Sequence, residues 1–332
     1  MPPTIDVIIP TYGGWDLTAG CLRHLAAQTA QHRVIVVDNA SPDDTVARLR
    51  AEFPAVTLIA LDENRGFAAA CNRGIAAGDG EVVVLLNNDL DAEPELLAQL
   101  AEPFAEDARL GSVAALLLRP DGRIDSAGLC ADATLAGFPR LQGLPPSAAD
   151  SPRPALLGPA GAAAAYRRSA LDRVGPLDEG IFMYQEDLDL ALRLRAAGWR
   201  TRVAVRARAV HHGSATAGRR SASQRRRAGF ARGYLLRTYG VGRSRHGPRA
   251  LLTEAVVAGG DLVLSRDAAA LTGRLAGWRA ARAAARRSVP AEGIDRTIGL
   301  RESLRLRRAD YAVAASPAHA APGRPARSHP PS

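Results

Sequence analysis

Apolar runs and helical spacing alternate along the first hundred residues. DVIIP (6–10) reads as a strand that ends in a TYGG loop, and LTAGCLRHLAAQ (17–28) has the spacing of a helix. RVIVVD (33–38) is a second strand, and NASPDDT (39–45) supplies turn and N-cap residues before the helix VARLRAEF. VTLIAL (56–61) is a third strand, FAAACNRGIAAG (67–78) a helix of small residues, and Val82 to Leu86 a fourth strand. Those last five residues show no alternation, so both faces of the strand are expected to be buried, as in a central parallel strand. The β-α-β order predicts an α/β fold with a doubly wound, mostly parallel sheet.

After residue 110 the pattern loosens. Strands are expected near 111–118 and 123–130, and a loop over 139–154, which holds five prolines. LLGPAGAAAAYRR is an apolar segment, VGPLDEG a turn, and EDLDLALRLRAAG (186–198) an acidic helix stopped by glycine. A strand, TRVAVRA, then leads to His211 and His212. Three regions follow: 1–217 as the α/β domain, 218–315 as an arginine-rich helical extension, and 316–332 as a disordered Pro/Ala/Ser/Arg tail.

Charge sharpens this division. All 43 basic side chains counted as Lys+Arg are arginine, and the net charge of +9 is unevenly spread. Residues 1–150 hold 10 Arg against 21 Asp+Glu, whereas residues 151–332 hold 33 against 13. Aromatic residues are few, 5% of the chain, so a nucleic-acid partner is not expected. In 218–315 the arginines stand around Leu, Phe, Tyr and Trp, a pattern suited to helices lying on an anionic membrane surface. LLTEAVVAGGDLVL is interrupted by Glu254 and Asp261 and is too short to span a bilayer. MPPTIDVIIPTY shows no signal peptide, and Cys21, Cys71 and Cys130 form neither a disulfide framework nor a zinc site. A cytoplasmic chain, peripheral at the inner face of the plasma membrane, is the expectation.

Polar residues cluster where strands end. TYGG, DNASPDD and NNDLD follow the first, second and fourth strands, and in a parallel sheet such loops converge on one edge. Asp38 ends an apolar strand, where it either accepts hydrogen bonds from an imide or ribose or belongs to a cap built with Asn39 or Ser41. Neither GxGxxG nor GxxxxGK[ST] occurs in these loops, so a diphosphate would need a cation. Asp89 and Asp91 offer hard oxygen ligands for Mg²⁺ or Mn²⁺; the alternative for NNDLD is an Asx turn with a helix cap. Glu186 and Asp187 stand at a helix N-terminus, about 100° apart around its axis, so only one of them can face a given substrate.

Taken in order, VIIPTY, VVDNASPDD, ENRGFAAACNRGI, LLNNDLD, GPAGAAAAYRRSAL, QEDLDLALRLRAAGW and VHHGSA resemble the family 2 glycosyltransferases of the GT-A fold, in particular their rhamnosyltransferase-like branch. The resemblance covers roughly residues 4–217. It implies that Pro10 and Tyr12 line a base pocket, that Asp38 contacts the nucleobase, and that Asn64, Gly66 and Asn72 shape the floor under ribose and diphosphate. It implies that Asn88 and Asp89 contribute to the donor site, and that Asp89, Asp91 and His211 hold a divalent metal. Asp187 is then the catalytic base, with Glu186 beside it supporting the acceptor. The implied reaction is an inverting transfer, rhamnose-like in sugar, from a dTDP- or UDP-sugar to a saccharide or lipid-linked saccharide, in cell-envelope polysaccharide synthesis. A sugar nucleotidyltransferase and a non-catalytic nucleotide- or nucleic-acid-binding module are the other readings of the acidic loops. Small residues over 160–165, and amides in NNDLD, depart from the family pattern.

Overall fold

The computed structural model describes residues 2–213 and 221–313. The boundary expected at 217 and the tail expected at 316–332 lie outside the described residues. In chain order the first half comprises β1 (Ile5–Thr11), α1 (Trp15–Ala26), β2 (Arg33–Asp38), α2 (Thr45–Glu52), β3 (Thr57–Ala60), α3 (Phe67–Ala77), β4 (Val82–Leu86), β5 (Leu90–Ala92) and α4 (Leu96–Glu106). Next come β6 (Leu110–Leu118), β7 (Ile124–Ser126), β8 (Leu129–Asp132), β9 (Gly137–Pro139), β10 (Ala163–Arg167), α5 (Arg168–Val174), α6 (Glu186–Ala196) and β11 (Arg200–His211). The rest is α7 (Ala222–Thr238), α8 (Gly247–Ser265), α9 (Ala269–Ala280), β12 (Ile294–Asp295) and α10 (Leu300–Val313).

The main sheet runs β3-β2-β1-β4-β10-β6-β11-β5, with β7 paired to β6. Its first four strands are parallel, as the β-α-β rhythm predicts. Both faces are covered, which explains the unbroken apolar runs. Ile8, Ile35, Val37, Val83 and Leu85 pack under α3, while Val7, Ile9, Val36, Val84 and Leu86 pack under α1 and α4. The small residues of α3 follow from its closeness to the sheet: a Cβ at Gly74 would overlap the Ile8 side chain.

Two pairings were not readable from the rhythm. β10, AAAYR, enters antiparallel between β4 and β6, so the apolar segment after the proline-rich loop is a central strand rather than a connector. Its alanines suit that place, since three side chains of minimal volume leave room for helices packed on both faces. The second pairing joins β5 to the end of β11, with Leu90 opposite His211. β11 is also longer than the TRVAVRA strand, because a register shift between Ala204 and Arg208 carries it on to His211.

The helices after residue 221 share one core with the α/β part. Tyr234, Leu235, Tyr239 and Ala250 pack with Leu129, Ile181, Leu188 and Leu192. Several arginines expected to face a membrane are structural. Arg232 is 3% exposed and donates to the carbonyls of Leu135 (2.7 Å) and Thr134 (3.0 Å) and to Glu254 (2.8 Å). Arg287 bridges Asp178 at 2.6 Å and also meets Asp189. α7 and α9 cross at backbone contact through Gly229 and Gly233 on one side and Gly273 and Gly277 on the other. A Cβ at Gly277 would overlap the Phe230 carbonyl.

Candidate active site

The ends of β1 and β4 are tied together first. The Asn88 amide donates to the hydroxyls of Thr11 (3.2 Å) and Thr18 (2.9 Å), which are themselves 3.0 Å apart. Asn88 thus fastens the point where the strand order reverses from β2-β1 to β4, the place where open α/β sheets bind ligands. A small cleft there is lined by Asp16, Leu17, Gly20, Asn88, Asp89, Asp91 and His212.

The loop after β2 is a cap in this structure. The Asp38 carboxylate is 1% exposed and accepts from the Ser41 backbone N–H at 2.9 Å and from the Ser41 hydroxyl. Gly13 N–H donates to Ser41 Oγ (2.6 Å) and Gly14 N–H to Asp43 (3.1 Å), so the first two loops are bound to each other. Pro10 is half-buried on β1, and Tyr12 is 43% exposed at the loop rim. The NRGF loop closes on its neighbours. Asn39 donates to Asn64 Oδ1 and the Gly66 carbonyl (both 3.1 Å), and Gly66, at φ 89°, lies so near Phe182 that a Cβ would overlap its carbonyl. Asn72 binds the Leu177 backbone in both directions, at 2.9 and 3.0 Å, so its amide fixes the 177–179 turn.

The expected metal triad is split in two. His211 Nε2 stands 3.4 Å from Asp89 Oδ1, and its Nδ1 is 2.7 Å from Asp125. Asp91 turns away to His212 Nε2 at 2.7 Å and His24 Nε2 at 3.4 Å. Among the described residues no three His, Cys, Asp or Glu side chains are arranged to hold a metal ion. Asp89 lies in the turn before β5 and Asp91 within β5. Burial pulls the His211 imidazole down, but the bonds and charges of Asp125 and Asp89 outweigh it and push it up to about 10.

At the other acidic pair the backbone is strained. Tyr184 and Gln185 take φ of 73° and 62°, a left-handed conformation uncommon for non-glycine residues, immediately before α6. That reversal aims the two acids in different directions. Glu186 is 6% exposed, turned inward, and its Oε2 has no hydrogen-bond partner among the described residues. Burial, then the charge of Asp187, pushes it up to about 8. Asp187 is more open and accepts from the N–H groups of Gly161 (2.9 Å) and Leu188 (2.7 Å). Burial raises it, and the two N–H bonds pull back toward the ionised form. Burial raises both carboxyls, and the N–H groups of Gly161 and Leu188 offset it at Asp187. Gly161 explains part of the small-residue departure, since its N–H must approach the Asp187 carboxylate and an added Cβ would lie 3.3 Å from it.

Asp189, two residues on, is buried and anchors the helical extension through Arg193 (2.8 Å), the Tyr239 hydroxyl (2.9 Å) and Arg287. His24 and Asp125 escape a sequence reading. Each lies far along the chain from its partner, and nothing in LRHLA or GRIDSAG distinguishes them from a helix surface or a turn.

The fold is that of the GT-A glycosyltransferases. The family described as "Glycosyl transferase family 2" matches residues 6–175, and "Glycosyl transferase family group 2" matches 149–281. The chain belongs to glycosyl transferase family 2 and is a glycosyltransferase. It is 30% identical over 249 residues to the N-acetylglucosaminyl-diphospho-decaprenol L-rhamnosyltransferase of Mycobacterium tuberculosis, covering 67% of this chain and 80% of that one. It is 28% identical to the O-antigen biosynthesis protein RfbC of Myxococcus xanthus, over 64% of this chain and 18% of that protein. Among solved structures, the mannosyltransferase PcManGT from Pyrobaculum calidifontis, in complex with GDP-Man and Mn²⁺, shares the fold. Its TM-score is 0.51 at 23% identity, covering 96% of this chain and 82% of that one.

Proposed function

We propose that the protein is an inverting, cation-assisted transferase that moves a rhamnose-like sugar from a dTDP- or UDP-activated donor to a lipid-linked saccharide. The observation that carries the mechanism is the separation of Glu186 from Asp187. An acceptor hydroxyl needs one ionised, oriented carboxylate, and Asp187, held by two backbone N–H groups at a helix N-terminus, supplies it. Its Oδ atoms take the hydroxyl proton as the acceptor oxygen attacks the anomeric carbon. The bond to the diphosphate breaks on the opposite face, so configuration inverts. Glu186, neutral and inward, keeps a second charge out of the acceptor site. Thr11, Asn88 and Gly66 hold the loops that would lie beneath the donor, Tyr12 and Pro10 are the candidates for its base pocket, and Asp38, buried against Ser41, holds the loop beside them.

A divalent cation fits part of the site. Asp89 Oδ1 is buried with His211 Nε2 3.4 Å away, and Asp125 holds His211 Nδ1 so that Nε2 faces it. Oxygen and imidazole donors, with a carboxylate behind the imidazole, suit Mn²⁺ or Mg²⁺, and His211 would give up its Nε2 proton on binding. Asp91 would join them by leaving His212. The cation would supply charge neutralisation for the leaving diphosphate.

The donor and acceptor classes rest on the rhamnosyltransferase relative, whose name specifies a diphospho-decaprenol acceptor. A lipid-linked acceptor places the protein at the inner face of the plasma membrane as a peripheral protein. The test is calorimetric titration of dTDP, UDP and GDP with and without Mn²⁺, with Asp89→Ala alongside. Cation-dependent binding of dTDP or UDP, lost in the variant, supports the reading. Absence of binding by every nucleoside diphosphate overturns it.

A further inference from the structure

α8 is built inside out. Around its axis Pro248, Leu251, Leu252, Ala255, Val256, Gly259, Leu262 and Val263 share one arc of about 140°, and that arc bears no charge. Leu251 is 66% exposed, Val263 74% and Leu264 80%, with Leu252 and Val256 about half exposed. The inward arc holds the ions instead. Glu254 and Asp261 are buried. Glu254 meets Arg232 and Arg274 at 2.8 Å and Arg307 at 3.1 Å. Burial alone would raise its carboxyl, but the three guanidinium charges outweigh that and hold it well below the usual range. A helix facing only water has the opposite arrangement, apolar in and charged out.

The face continues onto α9, where Leu271, Leu275 and Trp278 are each at least 40% exposed. Over residues 241–289 the exposed charges have one sign. Arg243, Arg245, Arg266, Arg279 and Arg282 are exposed over 241–289, whereas the acids of that stretch are Glu254 and Asp261, both buried, and Asp267, which is bridged to Arg225. Among the described residues no helix is long and apolar enough to cross a membrane. An apolar face rimmed by arginine, on an element unable to span, has the chemistry of an interfacial helix.

We propose that the outer faces of α8 and α9 dock on an anionic lipid bilayer, with α8 lying along its surface. This deepens the lipid-linked acceptor reading and names the surface that holds the enzyme beside such an acceptor. It also moves the contact away from the arginine-dense α7, whose Arg232 is internal, to a segment whose sequence looks like an interrupted core helix. The Gly-to-Gly crossing of α7 and α9 stiffens the platform, because two helices at backbone contact cannot slide without steric overlap.

The test uses the full chain and sedimentation with vesicles of phosphatidylcholine, alone or with one quarter phosphatidylglycerol. Wild type should sediment with the anionic vesicles and much less with the neutral ones. Leu252→Glu/Val256→Glu/Val263→Glu should lower vesicle affinity by roughly tenfold or more. A gentler Leu252→Ser/Val263→Ser pair should give an intermediate loss. Unchanged thermal midpoints and dTDP binding show that the variants remain folded. Arg279→Gln/Arg282→Gln should reduce binding to anionic vesicles only. Wild-type binding by the triple variant, or none by wild type, overturns the proposal. A wild-type dimer that the triple variant converts to monomer, with neither binding vesicles, assigns the face to a second copy and overturns it too. Failure of dTDP binding with vesicle binding intact would count against the donor assignment and leave this surface standing.

Discussion

Glu186→Gln isolates the division of charge at the N-terminus of α6. The Glu186 carboxyl is 6% exposed, lacks a partner for Oε2 and lies beside Asp187, so it moves from an ordinary 4.5 to about 8. The folded pKa is raised, so the folded state binds the extra proton. Stability is greatest below the unfolded pKa near 4.5 and is lost as pH rises toward 8. Each pH unit in that window costs about 1.4 kcal/mol, and the full excursion is of order 3–5 kcal/mol. Glutamine copies the neutral form at every pH and escapes this loss. Urea titrations at pH 5.5 and 8.5 measure it: the variant should gain about 3 kcal/mol over wild type between the two values. It should keep most of its transfer activity near neutral pH, since the side chain it replaces is uncharged there. An equal stability difference at both pH values would refute the reasoning, because Glu186 would then be ionised throughout and Asp187 would not be the single charge facing the acceptor.

Three further outcomes are expected. Asp187→Asn should lower kcat by roughly 10²–10⁴-fold while leaving nucleotide binding intact, and the wild-type pH-rate profile should rise above the usual carboxylate range because burial raises Asp187, as initial rates from pH 4 to 9 would show. Glu254→Gln leaves three converging guanidinium groups without their carboxylate and should destabilise the protein by roughly 3–5 kcal/mol in urea titration, against little effect from Glu302→Gln on an exposed side chain. Gly277→Val drives a side chain into the Phe230 carbonyl, so α7 and α9 must separate; a loss of roughly 2 kcal/mol or more should appear in the same assay.

Strand ends and loop chemistry were readable because they are local. Five consecutive apolar residues at 82–86 require two buried faces, and a parallel sheet then gathers the TYGG, DNASPDD and NNDLD loops at one edge. The helical angle between Glu186 and Asp187 follows from 3.6 residues per turn, so the sequence alone requires that one of them turn away. Which one does so is a tertiary matter. The left-handed pair at 184–185 and the Gly161 N–H select Asp187, and neither is visible as spacing. The same holds for the residues expected to hold a metal. Asp89, Asp91 and His211 fit one donor set on paper, but the antiparallel pairing of β5 with β11 gives Asp89 to His211 and Asp91 to His212, and Asp125 arrives from a distant strand. α8 makes the contrast sharpest. Glu254 and Asp261 look like polar interruptions of an apolar segment, and the arginines that converge on Glu254 from α7, α9 and α10, with the burial of Asp261, show that they point inward. Sequence fixes periodicity, because periodicity belongs to the chain; which face is inside is fixed by what the other elements bring to it.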